Sequence, residues 1–149
     1  MKNTLINEVS LIYPKSKETE QIFIRNSKQA FEVFKDMFDE NTITFQEEFK
    51  VLYLNRANKV IGAYQGFKGG ITGVVVDTRI IFSIALKCLA VTVIVAHNHP
   101  SGNLTPSEED KDLTRKLKSA GKFLDINVLD HLILSPQGEY LSFADEGMI

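Results

Sequence analysis

Residues 91–110 read VTVIVAHNHPSGNLTPSEED. The first six are apolar or β-branched without a break, the composition of a buried strand. Residues two apart on a strand share a face, so Val93, Val95, His97 and His99 lie together, with both imidazoles at the strand's end. Pro100 cannot donate to a sheet ladder and stops the strand there. A helix then opens with a strong signal: Thr105 reads as the N-cap, Pro106 takes the first position and Glu108 completes a Thr-x-x-Glu capping box. That register sets Ser107 and Asp110 three apart on one helix face near its N-terminus. The glycine-containing loop can fold the helix back toward the strand end, where Asp110 would join His97 and His99 around one metal ion. Three protein ligands with a fourth position for water is the arrangement of a catalytic zinc site.

Other readings of these residues are weaker. A lone histidine is usually a hydrogen-bonded core or surface residue. Here two of the chain's three histidines stand at strand-end spacing ahead of a capped helix with an aligned aspartate. His-Asn-His also occurs as a nuclease motif, but there the residues are spread over a hairpin and a helix. A zinc deaminase needs a Pro-Cys-x-x-Cys segment, and Cys88 is the only cysteine.

Outward from this unit, residues 1–26 form a lead-in with one or two short strands expected among Leu5-Ile6, Leu11-Ile12-Tyr13 and Ile22-Phe23-Ile24. Ala30, Phe31, Phe34, Met37 and Phe38 recur at helical spacing and predict a helix over 27–39. Strands over 47–54 and 59–65 make a hairpin around a turn at 55–58. Gly66, Gly69, Gly70 and Gly73 form a flexible connection to a strand at Val74-Val75-Val76. Asp77 or Thr78 caps a helix over 79–89, and the helix from Pro106 ends at Gly121. A strand lies within 124–134, and a last one near 140–143 follows the Pro136-Gln137-Gly138 turn. Helices alternating with mixed strands give a single α/β domain.

The 149 residues are 44% hydrophobic, with a net charge of −2 and a pI near 5.9. Dedicated DNA binders concentrate positive charge, so direct DNA binding is not expected. Lys111, Arg115, Lys118 and Lys122 make a basic stripe, but Glu108, Glu109 and Asp112 beside it predict an ion-paired, solvated helix face. Cys88 reads as a buried inert thiol. With no unbroken apolar run at its start and none near ~20 residues elsewhere, the chain is expected to be cytoplasmic, without signal peptide or membrane span.

His97-x-His99, then seven residues, Ser107, two residues and Asp110 resemble the JAMM motif of JAB/MPN metalloprotease domains. More closely, His97-Asn98-His99-Pro100-Ser101-Gly102 and Pro106-Ser107-x-x-Asp110 are similar to RadC-type proteins, as are Asp77-x-Arg79-x-Ile81-Phe82, Ala85-Leu86 and Leu129-Asp130-His131. The likeness covers about 27–149 and implies a JAB/MPN-like mixed sheet flanked by helices. Thr78 stands where such proteins usually have proline, a change expected to touch only a helix start. The helix-hairpin-helix region that often precedes the domain is not expected here.

The resemblance implies one zinc per chain on His97, His99 and Asp110, and an upstream glutamate acting through the bound water. In RadC-type proteins that glutamate lies two residues before a phenylalanine at the start of a strand, which the resemblance places at Glu47 in Glu47-Glu48-Phe49; alternation supports this by putting it on one face with Phe49, Val51 and Tyr53. Glu48 goes with Lys50 and reads as a solvated surface charge. Ser107 is placed to donate to a developing oxyanion; Asp130-His131 reads as a pair that could orient a ligand, and His131 reads equally as a satisfied structural histidine. The implied activity is hydrolysis of an amide or isopeptide bond in a protein or peptide, the family including enzymes that act on ubiquitin-like proteins. Rival readings are a RadC-like DNA-repair or mobile-element accessory factor and a non-catalytic zinc-binding interaction domain. Homodimer formation is left open.

Overall fold

The structure, a computed structural model, describes residues 21–149; the strands expected at Leu5-Ile6 and Leu11-Ile12-Tyr13 fall outside them. In chain order the elements are α1 (Ser27–Lys35), β1 (Glu48–Leu54), β2 (Val60–Lys68), α2 (Thr78–Lys87), β3 (Thr92–Asn98), α3 (Glu108–Phe123), β4 (Asn127–Leu134) and β5 (Tyr140–Ser142). Every residue of β1 and β3 is buried. Strands of that kind need neighbours on both edges and a layer on each face. The five-stranded sheet supplies the neighbours in the order β2-β1-β3-β4-β5.

Two apolar layers close the faces. Phe49, Val51, Tyr53, Val93 and Val95 pack with Ile81, Phe82 and Ala85 of α2 and Leu117 of α3. On the other side Leu52, Leu54, Ile94, Ala96 and Leu132 meet Ala30, Phe31 and Phe34 of α1. The result is a mixed sheet flanked by helices, the α/β arrangement that the resemblance implied. Two pairings matter for function. β1 runs antiparallel to β3 with Phe49 opposite His97, which brings Glu47, just before β1, to the end of β3. β3 and β4 are parallel and joined through α3, so the helix begins where β3 ends.

Several elements differ from their expected bounds. α1 ends at Lys35, because Met37 and Phe38 donate to carbonyls three residues back and tighten the chain; Phe38 is still buried. β2 continues through Gly66 to Lys68. No strand forms at Val74-Val75-Val76. Val74 and Val76 pack against the core while Val75 is exposed, an alternation that imitates a strand without a ladder partner. Ile22-Phe23-Ile24 contributes only an isolated bridge from Phe23 to Lys59. Cys88 is half-buried at the end of α2, not enclosed, and burial pushes its thiol above the ordinary value.

The start and end of α3 also move. Thr105 is not the cap: its N–H goes to Asn103 Oδ1 at 3.0 Å, and Ser107 is the N-cap. Gly121 does not end the helix but lies buried within it, and the turn is made by Asp125 at φ 54°. Ile126 passes so close that a Cβ on Gly121 would sit 2.3 Å from its carbonyl oxygen. Gly121→Ala should therefore destabilise the domain by about 1–3 kcal/mol through overpacking, although alanine is the better helix former by ~1 kcal/mol. Urea unfolding measures this, and an unchanged midpoint would refute the steric account.

Candidate metal centre

Three residues at the end of β3 and just past it have divided tasks. His97 and His99 face one side, while the fully buried Asn98 faces the other. The Asn98 Oδ1 accepts the Glu48 N–H at 2.8 Å, and its Nδ2 donates to the carbonyls of Ile43 and Gln46, both at 2.9 Å. The segment leading into β1 is thus fastened to the end of β3. Glu47 is held from its other side, donating its N–H to Gly70 O at 2.9 Å and accepting Gly69 N–H at 2.8 Å. The sequence reading missed Asn98. Its one signal was a polar residue on the opposite face from two neighbouring histidines in an otherwise apolar strand.

Asp110 arrives from the first turn of α3. Ser107 Oγ accepts the Asp110 N–H at 3.0 Å, and Asp110 Oδ2 accepts the Ser107 N–H at 2.8 Å, a complete capping box. The box turns the carboxylate toward the histidines, with Oδ1 3.2 Å from His97 Nε2 and Oδ2 3.3 Å from His99 Nε2. The two Nε2 atoms are 2.9 Å apart. Burial opposes ionisation of Asp110, but the His97 and His99 imidazoles beside it and the Ser107 N–H hold the carboxyl well below the ordinary value. Burial raises the Glu47 carboxyl, with His97 and His99 opposing the rise.

Glu48 is not a solvated charge. Its carboxylate and the Lys50 ammonium form a buried ion pair at 2.6 Å, on the sheet face away from the histidines. Lys50 also donates to Gln65 Oε1 and lies over the Phe38 ring. Glu47 and Glu48 do point to opposite sides, as alternation requires.

The Asp130-His131 pair divides. His131 Nε2 lies 2.8 Å from His97 Nδ1, and His131 Nδ1 lies 2.7 Å from Thr114 Oγ1. Burial holds this imidazole well below the ordinary histidine range. Asp130 faces elsewhere, accepting from Ser142 Oγ and from the N–H groups of His131 and Ala144. It pins the C-terminal segment and hydrogen-bonds to none of the imidazoles. On the α3 surface, Lys111 pairs with Glu108 and Arg115 with Asp112.

One donor atom each from Glu47, His97, His99 and Asp110 lie within 4.8 Å of one another. His99 Nδ1 is 2.5 Å from the Asn103 carbonyl, which can only accept, so His99 carries a proton there and Nε2 is the nitrogen that can offer a lone pair to a cation. Tetrahedral ligands about 2.0–2.1 Å from a zinc ion stand about 3.3 Å apart, close to the spacings here. The group suits a cation. It opens into a cleft of about 740 Å³ that also exposes Ser107 and is walled by Ile71, Val74, Val76 and Leu113.

Fold and site together define an α/β domain with a histidine–carboxylate group, able to hold a metal ion, at a strand–helix junction. The family model of the RadC-like JAB domain matches residues 24–148, and the chain belongs to that family. The UPF0758 protein of Flavobacterium johnsoniae is 47% identical over 125 residues, covering 84% of this chain and 53% of that protein. Those of Porphyromonas gingivalis and Aquifex aeolicus are 37% identical over 142 residues and 40% identical over 129. These matches cover 95% and 87% of this chain, and 61% and 54% of the relatives. The chain thus spans between half and two thirds of the length of these curated relatives. Among the described residues, no helix is long and apolar enough to cross a membrane.

Asn98→Ala would leave the Glu48 N–H and two carbonyls without their partner. Each orphaned buried group costs about 1–3 kcal/mol, so a loss of about 2–4 kcal/mol is expected after partial relaxation. Amide exchange should quicken at 43–48 more than in β4. Wild-type protection across 43–48 would show that the clamp is dispensable.

Proposed function

We propose that this domain is a zinc-dependent hydrolase that cleaves an amide or isopeptide bond in a protein or peptide. The observation that carries the reading is Glu47. His97, His99 and Asp110 already make a three-ligand set, yet a fourth acidic group converges on the same point from a segment clamped on both sides. A metal site of structural type fills its positions with tightly bound ligands. Here the fourth group is half-buried, its proton affinity raised by burial, a combination that suits a general base.

His97, His99 and Asp110 would hold the zinc. When bound, the ion acidifies a water and polarises the scissile carbonyl. Glu47 takes the attacking water's proton and returns it to the departing amine. Ser107 Oγ accepts the Asp110 N–H, which leaves its own proton free to donate to the oxyanion at the mouth of the cleft. The peptide class of substrate is preferred over nucleic acid because the cleft presents Glu47, Glu109 and Asp110 beside apolar walls, and two basic groups of α3 are already paired.

Two measurements test the proposal. Metal analysis of purified protein should find about one zinc per chain, lost in His97→Ala and in Asp110→Ala; full occupancy in either variant would remove that residue from the ligand set. Glu47→Gln should keep zinc and fold while hydrolysis of an isopeptide-linked fusion, or of a protein trapped by the variant, falls at least ~10²–10⁴-fold. Glu48→Gln should lower the unfolding midpoint and leave the turnover of folded protein near wild type. Loss of turnover in Glu48→Gln alone would reverse the two roles. A zinc-loaded wild type that cleaves nothing retained by Glu47→Gln would favour a non-catalytic binding domain.

A further inference from the structure

His131 has no exposed surface. Phe143 stacks on its ring at 4.6 Å, and Phe49 meets it edge-on at 5.6 Å. These neighbours offer no conventional hydrogen bond, so the ring nitrogens meet only His97 Nδ1 and Thr114 Oγ1. Thr114 has one hydroxyl proton, and it donates to the Asp110 carbonyl at 2.7 Å. That oxygen can only accept. With its proton committed, Thr114 Oγ1 is an acceptor toward His131, which must then carry its proton on Nδ1 and accept at Nε2. His97 in turn donates from Nδ1, and its Nε2, facing Asp110 and His99, is left as a lone pair.

Run in the opposite direction, the same chain would end with a hydrogen on His97 Nε2. That nitrogen could not ligate. The direction is set at one end only, by the carbonyl of Asp110. We infer that Thr114 and His131 are positioning residues whose hydrogen-bond relay, anchored on the main chain of Asp110, holds His97 in the tautomer that can bind metal. The inference rests on the zinc reading above. It adds that two members of the ligand set, His97 and Asp110, are coupled through the core as well as through the ion.

The test uses Thr114→Val, which keeps shape and removes the acceptor, and Thr114→Ser, which restores a hydroxyl. Without the acceptor, His131 is better served by protonation at Nε2, which pushes the proton of His97 onto its ligating nitrogen. Zinc dissociation constants from chelator competition should weaken by about 10–100-fold in Thr114→Val, the usual effect of losing a ligand's supporting hydrogen bond. Thr114→Ser should bind much closer to wild type, and the metal-free unfolding midpoints should show that all three forms are folded. Imidazole ¹⁵N spectra of zinc-loaded wild type should show His131 protonated at Nδ1, a readout that needs no variant. His131 protonated at Nε2, Thr114→Val binding zinc as tightly as wild type, or Thr114→Ser as weak as Thr114→Val would each overturn the relay. Wild-type protein that binds no zinc would instead overturn the metal reading on which it rests.

Discussion

Asp110 closes the first turn of α3 by accepting the Ser107 N–H, and the same carboxylate faces both imidazoles at the end of β3. A helix cap and a metal-facing group are therefore one side chain. The helix N-terminus also favours negative charge there, which works with the two histidines against the burial that would protonate it. Moving the helix start by one residue would break the cap and withdraw the carboxylate together. The parallel pairing of β3 with β4 and the crossover through α3 set where that helix begins, so the site depends on the topology through this single carboxylate.

Around it, the domain places polar groups where apolar ones would pack more cheaply. Asn98, Thr114 and His131 are buried, as is the Glu48–Lys50 pair. Burying such groups is costly unless each finds a partner, and no buried side-chain nitrogen or oxygen among the described residues lacks one. Several of these satisfied groups hold the residues of the histidine–carboxylate cluster. Asn98 fixes the segment that carries Glu47, and Thr114 with His131 supports His97. A site whose groups must converge within a few tenths of an ångström needs side chains held by their neighbours, and these buried hydrogen bonds supply that restraint.

The two adjacent glutamates show how one strand divides its labour. Glu47 opens onto the cleft and stays half-buried beside the histidines, while Glu48 turns into the opposite layer and is neutralised by Lys50. A buried ion pair adds little net stability, but removing one partner strands the other. The pair accordingly holds the start of β1 in one register, which in turn fixes the side on which Glu47 emerges.

Local pattern was enough for much of this protein. The alternation in β3 put His97 and His99 on one face, the apolar spacing of α1 and the start signals of α3 made them helices, and alternation separated Glu47 from Glu48. These features depend on neighbours in the chain, and the sequence determined them by itself; the assignment of Glu47 also drew on the family resemblance. Tertiary structure decided the rest. It chose Ser107 over Thr105 as the cap, because only Ser107 is answered by a carboxylate that the histidines also attract. It left Val74–Val76 without a ladder despite a strand-like alternation, since no partner strand lies alongside. It buried Glu48 opposite a lysine, gave Asn98 three main-chain partners, and aimed His131 but not Asp130 at the cluster. Apart from the valines that find no ladder, each of these outcomes is a hydrogen bond or ion pair between residues distant in sequence or contested by several neighbours, and only the folded chain determines which partner is near enough to win.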